Sequence, residues 1–132
     1  MTGIVIVVHA PLGDAMREFA EHVLGEAAGQ MAVHDIQPDE TPDDRAPAVL
    51  RDILAADSGA GVLVLTDLIG ATPANIAKRA VADAQARGTQ CALVAGLNTS
   101  MLLRALTSRD RSLPETREKA LAGGVQGCLR VD

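Results

Sequence analysis

Aromatic side chains are almost missing from this sequence, which has one Phe and neither Trp nor Tyr among 132 residues. Sites that stack flavin rings or nucleic-acid bases usually need aromatic side chains, so the sequence argues against both kinds of site. Basic residues are in the minority, with 12 Lys and Arg against 17 Asp and Glu, and they form no cluster. We therefore expect no nucleic-acid partner and no direct binding to an anionic membrane.

Further absences limit the class of protein. Cys91 and Cys128 are the only cysteines, and their spacing fits neither a metal motif nor a redox motif, which favours a reducing compartment. No apolar run is long enough to span a membrane, and the first residues show no basic leader with a cleavage site. We expect a cytoplasmic protein that meets a membrane only through partners. Both common glycine-rich nucleotide motifs are missing, and no cofactor is expected.

The sequence does contain an alternation of strand-like and helix-like segments. Ile4–Val8 is a run of β-branched residues without polar alternation, which is typical of a strand buried on both faces of a parallel sheet. Similar runs at residues 61–66 and 91–95 are each followed by an amphipathic helical segment. The pattern predicts one α/β domain over residues 1–132, with a doubly wound, mostly parallel sheet flanked by helices.

The C-terminal segment has a different pattern. Gly123 and Gly124 interrupt a helical pattern and are expected to end the last helix. Apolar and polar residues then alternate, with Val125, Leu129 and Val131 on one face. This alternation predicts an antiparallel strand at an edge of the sheet.

Two strand ends carry side chains with useful chemistry. His9 ends the first apolar run, and Asp67 ends another. A glycine-containing loop after Asp67 leads to Thr72, a candidate N-cap, and to Pro73 as the expected first helical residue. Ligands bind at the carboxyl ends of the strands in open α/β sheets, so we expect His9 and Asp67 to meet there.

This pairing gives the histidine a specific chemistry. A carboxylate bonded to one ring nitrogen of His9 would fix the tautomer and leave the other nitrogen as a nucleophile. No Ser or Cys is placed as a third member, so the imidazole is the candidate attacking group. Phosphoryl transfer needs little more than such a nucleophile and donors for the anionic oxygens. The expected donors are turn amides, a helix start and two hydroxyls, carried by Ala10, Thr66, Leu68, Gly70 and Thr72.

Other residues are expected to line the site or to form a docking surface for a protein partner. Several of them are apolar, as is Leu68 among the donors, and all lie close in sequence to the strand ends. They are Pro11, Leu12, Ile69, Asn75, Gly96, Asn98 and Met101.

Simpler interpretations of these residues remain open. A histidine at a strand end is commonly a surface residue, and an aspartate before a glycine loop and Thr-Pro is commonly part of a turn. A zinc site from His9, Asp67 and either His22 or His34 has no ligand spacing to support it, so no metal is expected. A module that binds a small metabolite or a metal without a covalent step is a further alternative.

Four stretches of the sequence carry a resemblance to a known family. They are Val8–Ala10, Phe19–Gly25, Val64–Asn75 and Ala95–Met101, of which the third is the most specific. Through them the chain resembles, over essentially its whole length, the enzyme IIA domain of the mannose family of the bacterial phosphoenolpyruvate:sugar phosphotransferase system. It departs from the family at Ala10 and Ala71, where glycine is frequent, and at Ser100, where proline is frequent.

The resemblance implies the function of a phosphocarrier. His9 would accept a phosphoryl group on Nε2 from the phosphocarrier protein HPr and pass it to a IIB component for sugar uptake, while Asp67 orients the imidazole. The resemblance also implies a homodimer in which the C-terminal strand, Val125–Val131, pairs with the partner's sheet. An alternative is a regulatory protein whose phosphorylation state controls binding to a target protein without sugar transport.

Overall fold

A four-stranded parallel sheet forms the centre of the protein, and the computed structural model describes all 132 residues. In the spatial order β2-β1-β3-β4, the strands are β1 (Gly3–His9), β2 (Ala32–Ile36), β3 (Val62–Thr66) and β4 (Cys91–Ala95). The helices are α1 (Leu12–Leu24), α2 (Pro42–Ala56), α3 (Thr72–Ala86), α4 (Thr99–Thr107) and α5 (Leu113–Gln126), with a short 3-10 helix at Gly25–Ala28. None of the helices combines the length and the apolar character needed to cross a bilayer.

Helices cover both faces of the sheet. Side chains of successive strand residues point to opposite faces, so they pack into two different cores. In β1, Ile4, Ile6 and Val8 pack with residues of α1, α4 and α5. Val5 and Val7 point the other way, into the core formed with α2 and α3. These five side chains are at most 1% exposed, which explains why the strand shows no polar alternation in the sequence. The predicted doubly wound α/β fold is confirmed.

Strand register brings the ends of β1 and β3 together. The two strands are neighbours, with Val7 opposite Thr66. His9 and Asp67 therefore leave the sheet at the same edge, as the sequence predicts. On the other side of β1, His9 lies opposite Ile36, the last residue of β2. The carboxyl edge thus holds three adjacent strand ends within reach of one another.

The predicted edge strand Val125–Val131 is absent from the single chain. Helix α5 continues through Gly123 and Gly124, so the expected helix break is wrong. A Cβ atom at Gly123 would lie 2.6 Å from the Cβ of Arg104, and one at Gly124 would lie 2.8 Å from the Cε of Met101. The two glycines allow α5 to approach α4 closely instead of ending the helix. The segment after α5 is exposed and pairs with no strand, because a strand needs a neighbour for its backbone groups.

Candidate functional site

A histidine and an aspartate form the chemical centre of the carboxyl edge. The Nδ1 atom of His9, at the end of β1, lies 2.8 Å from Oδ2 of Asp67, the residue after β3. The His9 amide also donates to Oδ2 at 3.1 Å, and the Leu68 amide donates to Oδ1 at 2.9 Å. Three hydrogen bonds therefore fix the carboxylate against the imidazole, in the pairing that the strand ends predict.

The ionised carboxylate of Asp67 determines which proton the histidine ring donates to it. Partial burial by itself would raise the pKa of Asp67, but hydrogen bonds from the His9 ring and from the His9 and Leu68 amides outweigh it and hold the pKa below its ordinary value. The ionised carboxylate can only accept, so Nδ1 of His9 carries the proton. Nε2 bonds to no protein atom, in a side chain that is 49% exposed.

A cavity of about 300 Å³ adjoins the histidine. Its walls come from the end of β1, from the turn after β2 and from the first residues of α3. The lining residues are His9, Ala10, Ile36, Gln37, Pro38, Thr72 and Pro73. The cavity leaves room for a tetrahedral anion beside the imidazole.

The start of α3 supplies donors on the rim of this cavity. The helix begins at Thr72, with Ala71 and not Thr72 as its N-cap residue, and no side chain caps it. Thr72 is exposed, and its hydroxyl is not used for capping. The amides of Gly70 and Thr72 donate to no backbone carbonyl. Unpaired amides and the helix dipole together favour an anion at this position.

The other predicted donors are used within the protein or buried. The Ala10 amide donates to the Ile36 carbonyl at 3.1 Å, and the Leu68 amide is taken by Asp67. Thr66 is fully buried, and its hydroxyl has no hydrogen-bond partner. These residues frame the site, whereas Gly70 and Thr72 offer free donors.

Four of the predicted lining residues, and the predicted donor Leu68, lie at or near the surface around the site. Leu68 and Ile69 are 60% and 79% exposed directly after Asp67. Pro11 is exposed, as is Asn75 in the first turn of α3. Leu12 is half-buried and packs against the core on the α1 face of the sheet. The exposed apolar members, Pro11, Leu68 and Ile69, form an apolar rim next to the histidine.

The lining residues after β4 have a different position. The Gly96 amide donates to the Asp67 carbonyl at 2.9 Å and so fixes the backbone of the aspartate. Asn98 accepts from the Met101 amide at 2.9 Å as the N-cap of α4, and donates to the Gly124 carbonyl at 3.2 Å. Met101 is only 4% exposed. Asn98 and Met101 therefore stabilise the α4–α5 contact and do not line the cavity.

Sequence reasoning missed the wall formed by Ile36, Gln37 and Pro38. These residues follow the end of β2, beside His9 in the sheet. The rule that placed His9 and Asp67 at the ligand-binding edge applies equally to this strand end. A polar residue and a proline directly after the strand were the available signal.

The N-terminus of α1, at the same edge of the sheet, is already occupied by a carboxylate of the protein. The carboxylate of Asp35 accepts from the Gly13 amide at 2.6 Å and from the Asp14 amide at 2.9 Å, at the N-terminus of α1. A Cβ atom at Gly13 would lie 2.5 Å from a methyl carbon of Val33, so the small residue allows this close approach. The chain's own carboxylate already occupies the position that an anion would take at α1.

Other cavities and clusters offer no comparable chemistry. A larger cavity of about 760 Å³ lies at the amino ends of β1 and β2. Its two arginines, Arg17 and Arg109, donate to the carbonyls of Met31 at 3.0 Å and Gln30 at 2.8 Å, so they tie helices and loops to the sheet. No group of three or more His, Cys, Asp and Glu side chains converges to hold a metal ion.

The fold and the site together define an α/β protein in which a parallel sheet presents a carboxylate-oriented imidazole beside an open helix N-terminus. Solved structures of IIA proteins of the phosphotransferase system (PTS) have the same fold. Component EIIA from Streptococcus agalactiae is 26% identical, with a TM-score of 0.81 over 98% of this chain and 97% of that chain. The mannose/sorbose-specific IIA subunit from Enterococcus faecalis is 22% identical, with a TM-score of 0.85 over 99% of this chain and 95% of that one.

The match extends to the level of a sequence family. The family model of the PTS system fructose IIA component, of the mannose type, matches residues 3–121. The chain belongs to this family, which confirms the resemblance found in its sequence. A IIA protein associated with the fucose utilization operon of Streptococcus pneumoniae is also similar in fold, at 21% identity and a TM-score of 0.75 over 98% of this chain and 92% of that one.

Proposed function

We propose that this protein is a phosphocarrier that holds a phosphoryl group on Nε2 of His9. The observation that supports this most directly is the asymmetry of the ring. Nδ1 is held by Asp67 at 2.8 Å, while Nε2 has no partner in a half-exposed side chain. A nucleophile with a fixed tautomer and an open approach is the main requirement of in-line phosphoryl transfer.

The proposed step exchanges one phosphorus–nitrogen bond for another. The Nε2 lone pair of His9 attacks the phosphorus of a phosphohistidine on HPr. The bond to the donor's ring nitrogen breaks, and its electron pair returns to the donor imidazole. The Nδ1 proton stays on His9, where the Asp67 carboxylate balances the positive charge that develops on the ring. Transfer to a IIB component repeats the same exchange.

We assign the phosphoryl oxygens to Gly70 and Thr72. Their amides are free, the Thr72 hydroxyl is not used for capping, and Thr72 lines the same cavity as His9. Gly70 has a φ of 84°, a conformation that glycine adopts without strain. The N-terminal dipole of α3 contributes about 0.3–1 kcal/mol to the binding of a negative charge near it.

We propose that HPr and the IIB component dock on the apolar rim around His9. Leu68 and Ile69 are the most exposed large apolar residues next to the site, at 60% and 79%. Exposed apolar residues beside a reacting group are typical of a protein contact surface. Because donor and acceptor must each reach the same Nε2 atom, their binding is mutually exclusive.

We further propose a homodimer that uses the β4 edge of the sheet, because the β2 edge is protected. Arg17 donates at 3.0 Å to the carbonyl of Met31, the residue before β2, and Arg45 donates at 3.5 Å to the carbonyl of Asp35 in β2. Arginines that cover outward carbonyls are one way in which proteins block strand addition at an edge.

The β4 edge has less protection. Its Cys91 carbonyl accepts from the Gln85 side chain at 2.9 Å and so points away from β3. The backbone groups of Leu93 and Ala95 therefore also point outward, since alternate residues share a side. The exposed C-terminal segment, in which Leu129 and Val131 are 68% and 92% exposed, is the proposed partner for this edge in a second copy.

We propose a cytoplasmic location for the protein, with contact to a membrane only through the IIB component. Both cysteines, Cys91 and Cys128, are free thiols, which suits a reducing compartment.

The proposal is tested by incubating the protein with enzyme I, HPr and phosphoenolpyruvate and measuring its intact mass. We expect the wild type and His22→Ala, which changes an exposed histidine of α1, to gain one phosphoryl group. The His9→Ala variant should gain none. Retention of the group by His9→Ala would disprove the assignment. Adding a IIB protein then separates transport from regulation, because only a transport component should lose its phosphoryl group to IIB.

A further inference from the structure

A second histidine–carboxylate pair lies on the α2 side of the sheet. His34 of β2 is buried, and its Nε2 lies 2.7 Å from Oδ2 of Asp52 on α2. Its Nδ1 lies 3.2 Å from Nη2 of Arg45, also on α2. A guanidinium can only donate, so Nδ1 accepts and the Nε2 proton is donated to Asp52. Both ring nitrogens are therefore used, and the neutral ring serves as a fixed anchor.

Arg45 connects this anchor to the loop after β2. Its Nη1 lies 2.5 Å from Oε1 of Glu40 and donates to the Asp35 carbonyl at 3.5 Å. The second oxygen of Glu40 accepts from the Gln37 amide at 2.7 Å. One continuous set of hydrogen bonds thus runs from the buried ring of His34 to the backbone of Gln37.

Gln37 is a wall residue of the His9 cavity. It lies between Ile36 and Pro38, which line the same cavity. The Ile36 carbonyl accepts from the Ala10 amide at 3.1 Å, directly after His9. The hydrogen-bond set therefore ends at the β2 wall of the His9 cavity. In the sheet, β1 with His9 lies between this wall and β3, which leads to Asp67.

We propose that Arg45 and Glu40 are positioning residues that hold the β2 wall of the His9 pocket in place for the partner that brings or removes the phosphoryl group. This inference rests on the proposed phosphocarrier function. The network begins at the buried His34 ring and reaches Arg45 and Glu40, whose side chains are 23% and 26% exposed. Partly desolvated polar groups are stable only when each is partnered. Here that network joins α2 to an otherwise exposed turn, where apolar packing is not available to fix Gln37 and Pro38.

The test compares Arg45→Gln with Arg51→Gln, which removes the same charge from an exposed position of α2. Glu40→Gln is compared with Asp39→Asn in the neighbouring turn residue. Phosphorylation rates are measured over a range of phospho-HPr concentrations, and the hydrogen exchange of the Gln37 amide is measured by NMR.

We expect Arg45→Gln and Glu40→Gln to raise the half-saturating concentration of phospho-HPr by about threefold to tenfold and to change the maximal rate by less than about twofold. Exchange at the Gln37 amide should be faster in both variants. Arg45→Lys keeps the charge beside Glu40 but loses the planar guanidinium that donates to several groups at once. Its half-saturating concentration should lie between those of the wild type and Arg45→Gln. The two control variants should match the wild type in all three measurements.

Two failures are distinguishable. A wild-type protein that takes up no phosphoryl group would disprove the proposed function itself. A phosphorylated wild type whose Arg45→Gln and Glu40→Gln variants keep the same half-saturating concentration would overturn the positioning role alone, even if Gln37 exchanged faster. A loss confined to the maximal rate would also overturn it, because the wall would then act on the reacting groups and not on partner binding.

Discussion

The protein contains two histidine–aspartate pairs with similar nitrogen–oxygen distances. They differ in the surroundings of the ring nitrogen that does not contact the aspartate. His9 lies 2.8 Å from Asp67 and His34 lies 2.7 Å from Asp52, but the two histidine side chains are 49% and 7% exposed. The free nitrogen of His9 is open to solvent, whereas that of His34 accepts from Arg45. A carboxylate beside an imidazole therefore does not define a nucleophile, because accessibility of the opposite nitrogen is also needed.

The two pairs also use opposite nitrogens. Asp67 takes the Nδ1 proton of His9 and leaves Nε2, the atom farther from the backbone, for a partner. Asp52 takes the Nε2 proton of His34 and leaves Nδ1 for an arginine of the same helix. The first arrangement suits exchange with another protein, and the second suits a fixed internal contact.

The largest expected effect comes from replacing each of the two histidines, because only His9 is proposed to be the nucleophile. His9→Gln should abolish phosphorylation, since no lone pair remains on a ring nitrogen at the cavity. His34→Gln should leave the acid-labile phosphoryl group on the protein. Intact mass before and after mild acid treatment checks both. Phosphorylation found on His34 in the His9→Gln variant would contradict the distinction between the two pairs.

The next effect concerns the two carboxylates. Asp67→Asn should slow transfer by about 100-fold or more, because the amide no longer fixes the reactive tautomer or balances the charge on the ring. Asp52→Asn should change the rate by less than about threefold. Rapid-quench measurement of single transfers gives both rates. Equal rates in the two variants would remove Asp67 from the mechanism.

A third effect appears in the pH dependence of stability. Burial lowers the pKa of His34 below its ordinary value of 6.5, although Asp52 opposes the shift. As the pH falls below 6.5, the unfolded chain binds a proton at this residue before the folded protein does, so stability decreases towards the folded pKa. The pKa of Asp67 is lowered from 3.8, so its contribution is lost only below that pH.

Urea unfolding at about pH 7.5 and about pH 5.5 measures this dependence. The wild type should lose more stability between the two values than His34→Gln, whose side chain does not titrate. Identical losses would show that His34 is not held neutral in the folded protein.

The smallest expected effect concerns the hydroxyl of Thr66. Unlike the ring of His34, this buried polar group has no hydrogen-bond partner. The Thr66 hydroxyl is fully buried and unpartnered below the site. Thr66→Val should stabilise the protein by about 1 kcal/mol, since it replaces an unsatisfied group with an apolar one of the same shape. Phosphotransfer should stay within about twofold of the wild type. A larger loss of transfer would show that the hydroxyl takes part in the reaction.

The sequence predicted the sheet and the pairing at its edge because both depend on local patterns. An apolar run without alternation determined that β1 is central, and the strand ends placed His9 beside Asp67. The free donors at Gly70 and Thr72 follow from the turn chemistry of the loop before α3.

The remaining features depend on contacts between distant segments, which no local pattern contains. Gly123 and Gly124 were expected to break a helix, but helix packing against Arg104 and Met101 overrides their low helix propensity. Asn98 was expected at the site but instead bonds to α5. Whether a glycine or asparagine acts in a turn or in a helix contact is decided by the element that packs against it.

If His9 carries a phosphoryl group as we propose, its half-exposed side chain also limits how long that group can be stored. An opening wide enough for two successive partner proteins would admit water, which would compete as an acceptor whenever neither partner is seated. The yield of each cycle would then depend on how often an acceptor arrives before hydrolysis occurs.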